Sequence, residues 1–92
     1  MVNNMSEDIK NNYSEFYKVI LSLQTESDAE EFFSDLLTRK ELDSFTQRIT
    51  AGKLLKKGET YEKVISKTNI SSATLSRVSR ALKYGTGYKK FL

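Results

Sequence analysis

Ser71, Ser72, Ala73, Thr74, Ser76, Arg77 and Arg80 cluster in one short segment, and their types suit recognition rather than bond-breaking. A hydroxyl at 71 or 72 can cap a helix, and beside the free N–H groups of that helix start it can also meet a phosphate. Ala73 and the methyl of Thr74 can pack on thymine methyls. Ser76 can hydrogen-bond a base edge, and Arg77 or Arg80 can read guanine with two parallel donors. No acid occurs from Ala73 to Leu92, whereas a merely solvated helix face usually mixes signs to gain i, i+4 pairs. The chemistry favoured here is contact with a polyanion.

The elements that must position these residues are legible around them. Residues 60–82, TYEKVISKTNISSATLSRVSRAL, read as a helix-turn-helix. Thr60 is a cap candidate after Gly58. Val64 and Ile65, flanked by Glu62, Lys63, Ser66 and Lys67, make a short amphipathic helix. Asn69 falls where the chain must turn sharply, and asparagine is the best non-glycine residue for a left-handed backbone. Ile70 is expected to plug the turn. Leu75, Val78 and Leu82 follow the i, i+3, i+7 spacing of a buried stripe.

Charge divides the chain. Residues 1–35 hold eight acids and two bases, a net of −6, and residues 36–92 hold four acids and thirteen bases, a net of +9. Such asymmetry is a footprint of nucleic-acid contact. Lys53, Lys56, Lys57, Lys63, Lys67 and Lys83 lie in or beside the helix-turn-helix, where lysines mostly meet phosphates and supply affinity without sequence information. Catalysis has little to work with: histidine and cysteine are absent, which removes the commonest general base, nucleophile and metal ligands. The chain is therefore expected not to be an enzyme and to carry no cofactor or metal. Its longest apolar run, Val19–Leu21, is far too short to span a membrane. No secretory signal pattern is present, so the expected location is the cytoplasm.

The acids of the first half have structural explanations. Ser27 with Glu30, and Thr38 with Glu41, have the spacing of capping boxes. Ile9, Tyr13, Phe16, Tyr17 and Ile20 trace a helical stripe widened by Leu21 and Leu23. A short helix then carries Phe32, Phe33, Leu36 and Leu37. A long one, from Thr38 to about Lys57, presents Leu42, Phe45, Ile49 and Leu55. Six of the ten aromatics precede residue 46, a large apolar load for one small reading unit to cover. Either these helices pack against a second copy of the chain, the economical account, or they bury one another within a five-helix domain.

LLTRKELDSFTQR at 36–48, together with ISSATLSRVSRAL at 70–82 and the Tyr84–Gly85 pair, resembles the Trp repressor family, and within it the branch labelled YerC/YecD. The resemblance runs from about Leu36 to Tyr88. It implies a bacterial transcription regulator with an all-α fold: an intertwined helical homodimer with a C-terminal helix-turn-helix. On that pattern residues 1–92 form a single domain, with a helical dimerisation core over 1–57, a helix-turn-helix over 58–84 and a short tail over 85–92. The partners it implies are double-stranded DNA and a second copy of the chain, and the regulator is expected to be a repressor that reads the major groove.

The same resemblance locates a possible effector pocket. In Trp repressor two arginines sandwich the indole of tryptophan, and a threonine at the start of the long helix contributes through its backbone. Arg48, Arg77 and Thr38 match those positions. That pocket also needs a glycine directly after the second arginine and a serine farther along, where this chain has Val78 and Ala81. Valine fills the space the indole requires and alanine lacks the hydroxyl, so tryptophan is not expected to be the effector and no other small molecule is specified. Arg48 has a second explanation, pairing with an acid such as Glu41 or with a helix C-terminal carbonyl, and Arg77 a contact with DNA. Trp repressor ends in a further helix. Here Tyr88 and Phe91 either cover the core as a remnant of it or belong to a mobile tail. Two other functions remain open on residues alone: a protein-interaction adaptor using the basic helix, and a nucleic-acid binder without sequence preference.

Overall fold

A computed structural model describes residues 12–92, which are helical with no strand: α1 (Tyr13–Ser22), α2 (Glu26–Leu36), α3 (Arg39–Lys56), α4 (Tyr61–Thr68), α5 (Ser72–Tyr84) and α6 (Gly87–Phe91). The expected place of Ile9 on the first stripe lies outside the described residues. The chain divides into two compact units, with the boundary after Leu36.

In the first unit neither helix contains a buried residue. On α1, Tyr13, Phe16, Tyr17 and Leu21 are exposed, and the Phe16 and Tyr17 rings lie tilted to each other at 5.9 Å between centroids. On α2, Phe32 and Phe33 meet edge to face at 5.5 Å. The start of α2 departs from expectation. The Thr25 hydroxyl accepts the Asp28 N–H at 2.9 Å, and the Asp28 carboxylate accepts the Gln24 N–H at 3.1 Å. The cap is therefore Thr25 and not Ser27, which lies inside the first turn; Asp28 takes the reciprocal role that Glu30 was expected to play.

The second unit holds the core. Its long helix opens on the expected capping box: the Thr38 hydroxyl accepts the Glu41 N–H at 3.1 Å, and the Glu41 carboxylate accepts the Thr38 N–H at 2.9 Å. This helix has two faces. Ala51 and Gly52 are buried, with Leu54 and Leu55 packed beside them, whereas Leu42, Phe45 and Ile49 are exposed. Leu55 thus belongs to the inward face and is separated from the other three. Helix α3 ends in Lys53 and Lys56, which complement the helix dipole, and Gly58 turns the chain at φ +93°.

Helix α4 is capped by Thr60, whose hydroxyl accepts the Lys63 N–H at 3.2 Å. It stops at Asn69, which adopts the left-handed conformation (φ 62°, ψ 20°). Few backbone groups in this turn are left idle. The Asn69 N–H donates to the Ile65 carbonyl at 2.8 Å, the Ile70 N–H to the Thr68 hydroxyl at 3.3 Å, and the Gln47 side chain of α3 donates to the Thr68 carbonyl at 3.1 Å. Ile70, 2 % exposed, plugs the turn beneath them. Leu75 and Val78 of α5 complete a core made with Ala51, Val64 and Ile70. Leu82 and Tyr88 pack on its edge.

Removing the plug leaves a cavity under the turn, so Ile70→Ala is expected to lose about 2–5 kcal/mol. Asn69→Gly is expected to be close to neutral, while Asn69→Val costs about 1–2 kcal/mol for the left-handed backbone. Urea unfolding at one fixed protein concentration checks both.

Candidate nucleic-acid interface

Helix α5 owes its position to one face and its candidate chemistry to the other. Leu75 and Val78 anchor it in the core. Ala73, Ser76, Arg77 and Arg80 are exposed and Thr74 is half-buried. Of the two candidate caps, Ser71 is the one used. Its hydroxyl accepts the Thr74 N–H at 3.2 Å and donates to the Thr74 hydroxyl at 2.9 Å. That leaves Ser72 as the first helical residue, exposed to solvent at the positive end of the helix dipole. Among the described residues neither Arg77 nor Arg80 takes part in an ion pair; the pairs present are Lys18–Glu15 and Lys67–Glu59.

The lysines of α4 differ in their freedom. Lys63 is exposed. Lys67 donates to Glu59 at 2.9 Å, reaching back across the helix to the residue before its cap. Lys67 holds the Glu59 carboxyl below its usual range, first through this hydrogen bond and then through its charge. Desolvation opposes the shift, and Lys63 and Lys57 add smaller pulls in the same direction as Lys67. Glu59 was not among the expected site residues. It was hard to find from sequence because the pair spans eight positions and depends on how the chain turns after α3.

A cleft of about 290 Å³ opens between α3 and α5, lined by Ser44, Arg48, Thr74, Arg77, Val78, Ala81 and Tyr88. Four of the five expected pocket residues, Arg48, Arg77, Val78 and Ala81, thus meet around one space. Thr38 does not line it. Its side chain is used in the α3 cap, and ten residues of helix, roughly 15 Å, separate it from Arg48. Ser44 and Tyr88 were not anticipated, although Ser44 sits one turn before Arg48 and that spacing was a usable signal.

Arg48 takes neither of its expected partners. Its Nη2 donates to the Ser44 hydroxyl at 3.3 Å, and its guanidinium lies over the Phe45 ring at 5.2 Å from the centroid. Its Nε is buried without a partner. Glu41 is already bound to the Thr38 N–H and lies seven residues away, roughly 10.5 Å along the helix, beyond easy reach. Among the described residues no group of His, Cys, Asp and Glu is arranged to hold a metal ion, and no helix is long and apolar enough to cross a membrane.

This geometry defines a small all-helical protein in which two helices joined by a three-residue turn present a capped, acid-free face. Comparison with known proteins agrees. The family described as Trp repressor protein matches residues 11–92. The uncharacterised protein YerC of Bacillus subtilis (strain 168) is 41% identical over 71 residues, covering 77% of this chain and 68% of YerC. The crystal structure of a TrpR-like protein from Eubacterium eligens ATCC 27750 superposes with a TM-score of 0.81 at 40% identity, covering 84% of this chain and 80% of that one. A Trp repressor-like protein from Staphylococcus aureus superposes with a TM-score of 0.83 at 35% identity, covering 86% and 80%. The chain belongs to the Trp repressor family, a family of DNA-binding regulators rather than of enzymes.

Because the folded-state value of Glu59 is depressed, its pairing with Lys67 contributes fully above the ordinary carboxylate range. That contribution fades as falling pH passes through the folded-state value. In an NMR titration, Lys67→Gln is expected to move the Glu59 midpoint up toward the usual range; an unmoved midpoint removes Lys67 as the cause.

Proposed function

We propose that this protein is a sequence-specific, double-stranded-DNA-binding transcription regulator, most simply a repressor, that works as a homodimer in the cytoplasm. The observation that carries this is the outer face of α5, where Arg77 and Arg80 stand exposed and without an ion pair among the described residues, on a helix anchored by Leu75 and Val78. In the major groove, Arg77 or Arg80 reads guanine, Ser76 a base edge, and Ala73 and Thr74 thymine methyls. Ser72 and the free N–H groups at the start of α5 meet phosphate, with Ser71 committed to the cap. Lys63 supplies a phosphate contact directly. Lys67 does so only by leaving Glu59, which makes it the weaker of the two.

The homodimer is supported by the apolar surface that one copy leaves uncovered. Tyr13, Phe16 and Tyr17 on α1, and Leu42, Phe45 and Ile49 on α3, are each at least 41% exposed, more apolar side chain than helices of this kind normally leave to water. A second copy would cover these faces and set two reading helices about one helical turn of DNA apart, roughly 34–36 Å. Residues 1–57 would then supply the dimer core, 58–84 the reading pair and 85–92 the tail, so that α3 serves both packing faces.

Any effector of this protein would occupy the cleft between Arg48 and Arg77, with Val78 and Ala81 in its wall, and DNA binding does not require one. The branched Val78 side chain, 2% exposed, is locked in the core and does not move aside for a flat ring. Tryptophan is therefore not the effector. Calorimetry with tryptophan is expected to show no saturable heat in the micromolar range, and a micromolar isotherm would reverse this assignment.

Selection from a random duplex pool at near-physiological salt, without added ligand, tests the function directly. A palindromic motif is the expected result. On the selected duplex, Arg77→Ala should cost about 1–3 kcal/mol and relax one base position, whereas Lys63→Ala should weaken all sequences alike and flatten the salt dependence by about one unit of slope. Equal affinity for unrelated duplexes would make the protein an unspecific binder, and no binding at all would favour an adaptor for an acidic protein partner.

A further inference from the structure

The C-terminal segment is more than a cover for the core. Helix α6 packs on α5, and three separate contacts bind it to the rest of the second unit. The Lys56 ammonium at the end of α3 donates to the Lys89 carbonyl at 3.1 Å. Tyr88 packs on the core edge and forms one wall of the cleft between Arg48 and Arg77. Leu92 lies against the bare backbone of Gly52: a Cβ added there would stand 2.5 Å from the Leu92 Cδ1 and 3.6 Å from the Val78 Cγ1. Gly52 is thus a notch near the C-terminal end of α3 where α5 and the chain beyond α6 meet. Glycine inside a helix weakens it relative to alanine, so the notch is explained by what it admits.

The hinge leading into this segment is specified as well. A Cβ at Gly85 would fall 2.7 Å from the Ala81 carbonyl oxygen, a backbone atom with little room to yield. Only glycine lets the chain leave α5 at this angle while its N–H still donates to that carbonyl at 2.9 Å. The turn, the tyrosine wall and the leucine seat all direct the segment back onto the joint between α3 and α5.

We propose that α6 and Leu92 form a clasp that holds the reading helix at a set position on α3, which makes Tyr88 and Leu92 positioning residues for DNA recognition. The inference rests on the proposed role of α5. It explains how a chain with Val78 and Ala81 in its cleft can hold α5 for binding without a small molecule: Tyr88 closes one side of the cleft from within the chain. An open clasp leaves α5 packed by Leu75, Val78 and Leu82, in a wider range of positions, of which only a fraction fit the groove. Affinity then falls by that fraction with the base preference unchanged.

The test compares Leu92→Ala, Tyr88→Ala and Gly52→Ala with the parent protein by hydrogen exchange of the α5 amides and by affinity for the selected duplex. Faster exchange in α5, with about tenfold weaker binding and the same preferred sequence, is expected for each variant. Gly52→Ala separates positioning from stability, because it displaces Leu92 while introducing the best helix former; it should melt no lower than the parent and still bind less tightly. Arg77→Ala is the contrast, changing base preference with unchanged exchange. Parental exchange and parental affinity in all three clasp variants would overturn the proposal while leaving the reading of α5 intact. A parent protein that selects no duplex would overturn that reading and, with it, the clasp's role in recognition, while exchange alone would still report whether the clasp is closed.

Discussion

The close approach of α5 to α3 at Ala51 and Gly52 is the constraint on which the second unit depends. A core of five buried side chains has no spare layer, so α5 cannot be set at a distance and filled in with bulk. Ala51 and Gly52, adjacent and small, keep α3 slim where it faces Val78, whose Cγ1 would stand 3.6 Å from a Cβ on Gly52, an ordinary contact distance, and Leu75 and Val64 fill the remaining space. Interiors packed to this density resist displacement of any one member. The outward residues of α5 are therefore placed by what lies behind them, and a change in the α3 notch is felt on the opposite face of α5.

Helix α3 joins two problems that small helical proteins usually solve separately. Its inner face supports the turn and α5: Gln47 satisfies the carbonyl at the end of α4, and Ala51, Gly52 and Leu55 meet the core. Its outer face exposes Leu42, Phe45 and Ile49. Residues 42, 45 and 49 repeat at helical spacing, and so do 44, 48, 51 and 55, on faces pointing well apart. A single packing face would commit the helix to one partner; two faces let one rod carry the local core and a further contact surface. The same doubling blurs its amphipathic pattern, which is why the sequence placed Leu55 with the wrong neighbours.

Charges are partitioned between holding the fold and facing outward. Arg48 is absorbed by Ser44 and the Phe45 ring, Lys56 by the Lys89 carbonyl, and Lys67 by Glu59. Arg77, Arg80 and Lys63 remain exposed. Net charge alone does not make this division, since all six carry the same formal charge. It follows from which cations find an acceptor once the helices are packed, and exposed pairs such as Lys67–Glu59 are weak enough to be exchanged for a stronger anion.

The sequence alone specified helices α3, α4 and α5, the caps at Thr38 and Thr60, a third cap at either Ser71 or Ser72, the left-handed turn at Asn69, its Ile70 plug and the Leu75–Val78 anchor. Each depends on residues no more than a few positions apart, where backbone sterics and local hydrogen bonds decide the outcome. It also singled out Arg48, Arg77, Val78 and Ala81 as neighbours, but only through family resemblance, because α3 and α5 are far apart along the chain. Local rules misjudged the Thr25 cap, where two nearby hydroxyl candidates competed for one helix start. Packing between helices settled that Arg48 turns to Ser44, that Glu59 takes Lys67, that Thr38 stands away from the cleft, and that Leu92 seats on Gly52. Those outcomes depend on the distance and rotation between helices, quantities set by how side chains interlock and not written in the spacing of residue types along any one helix.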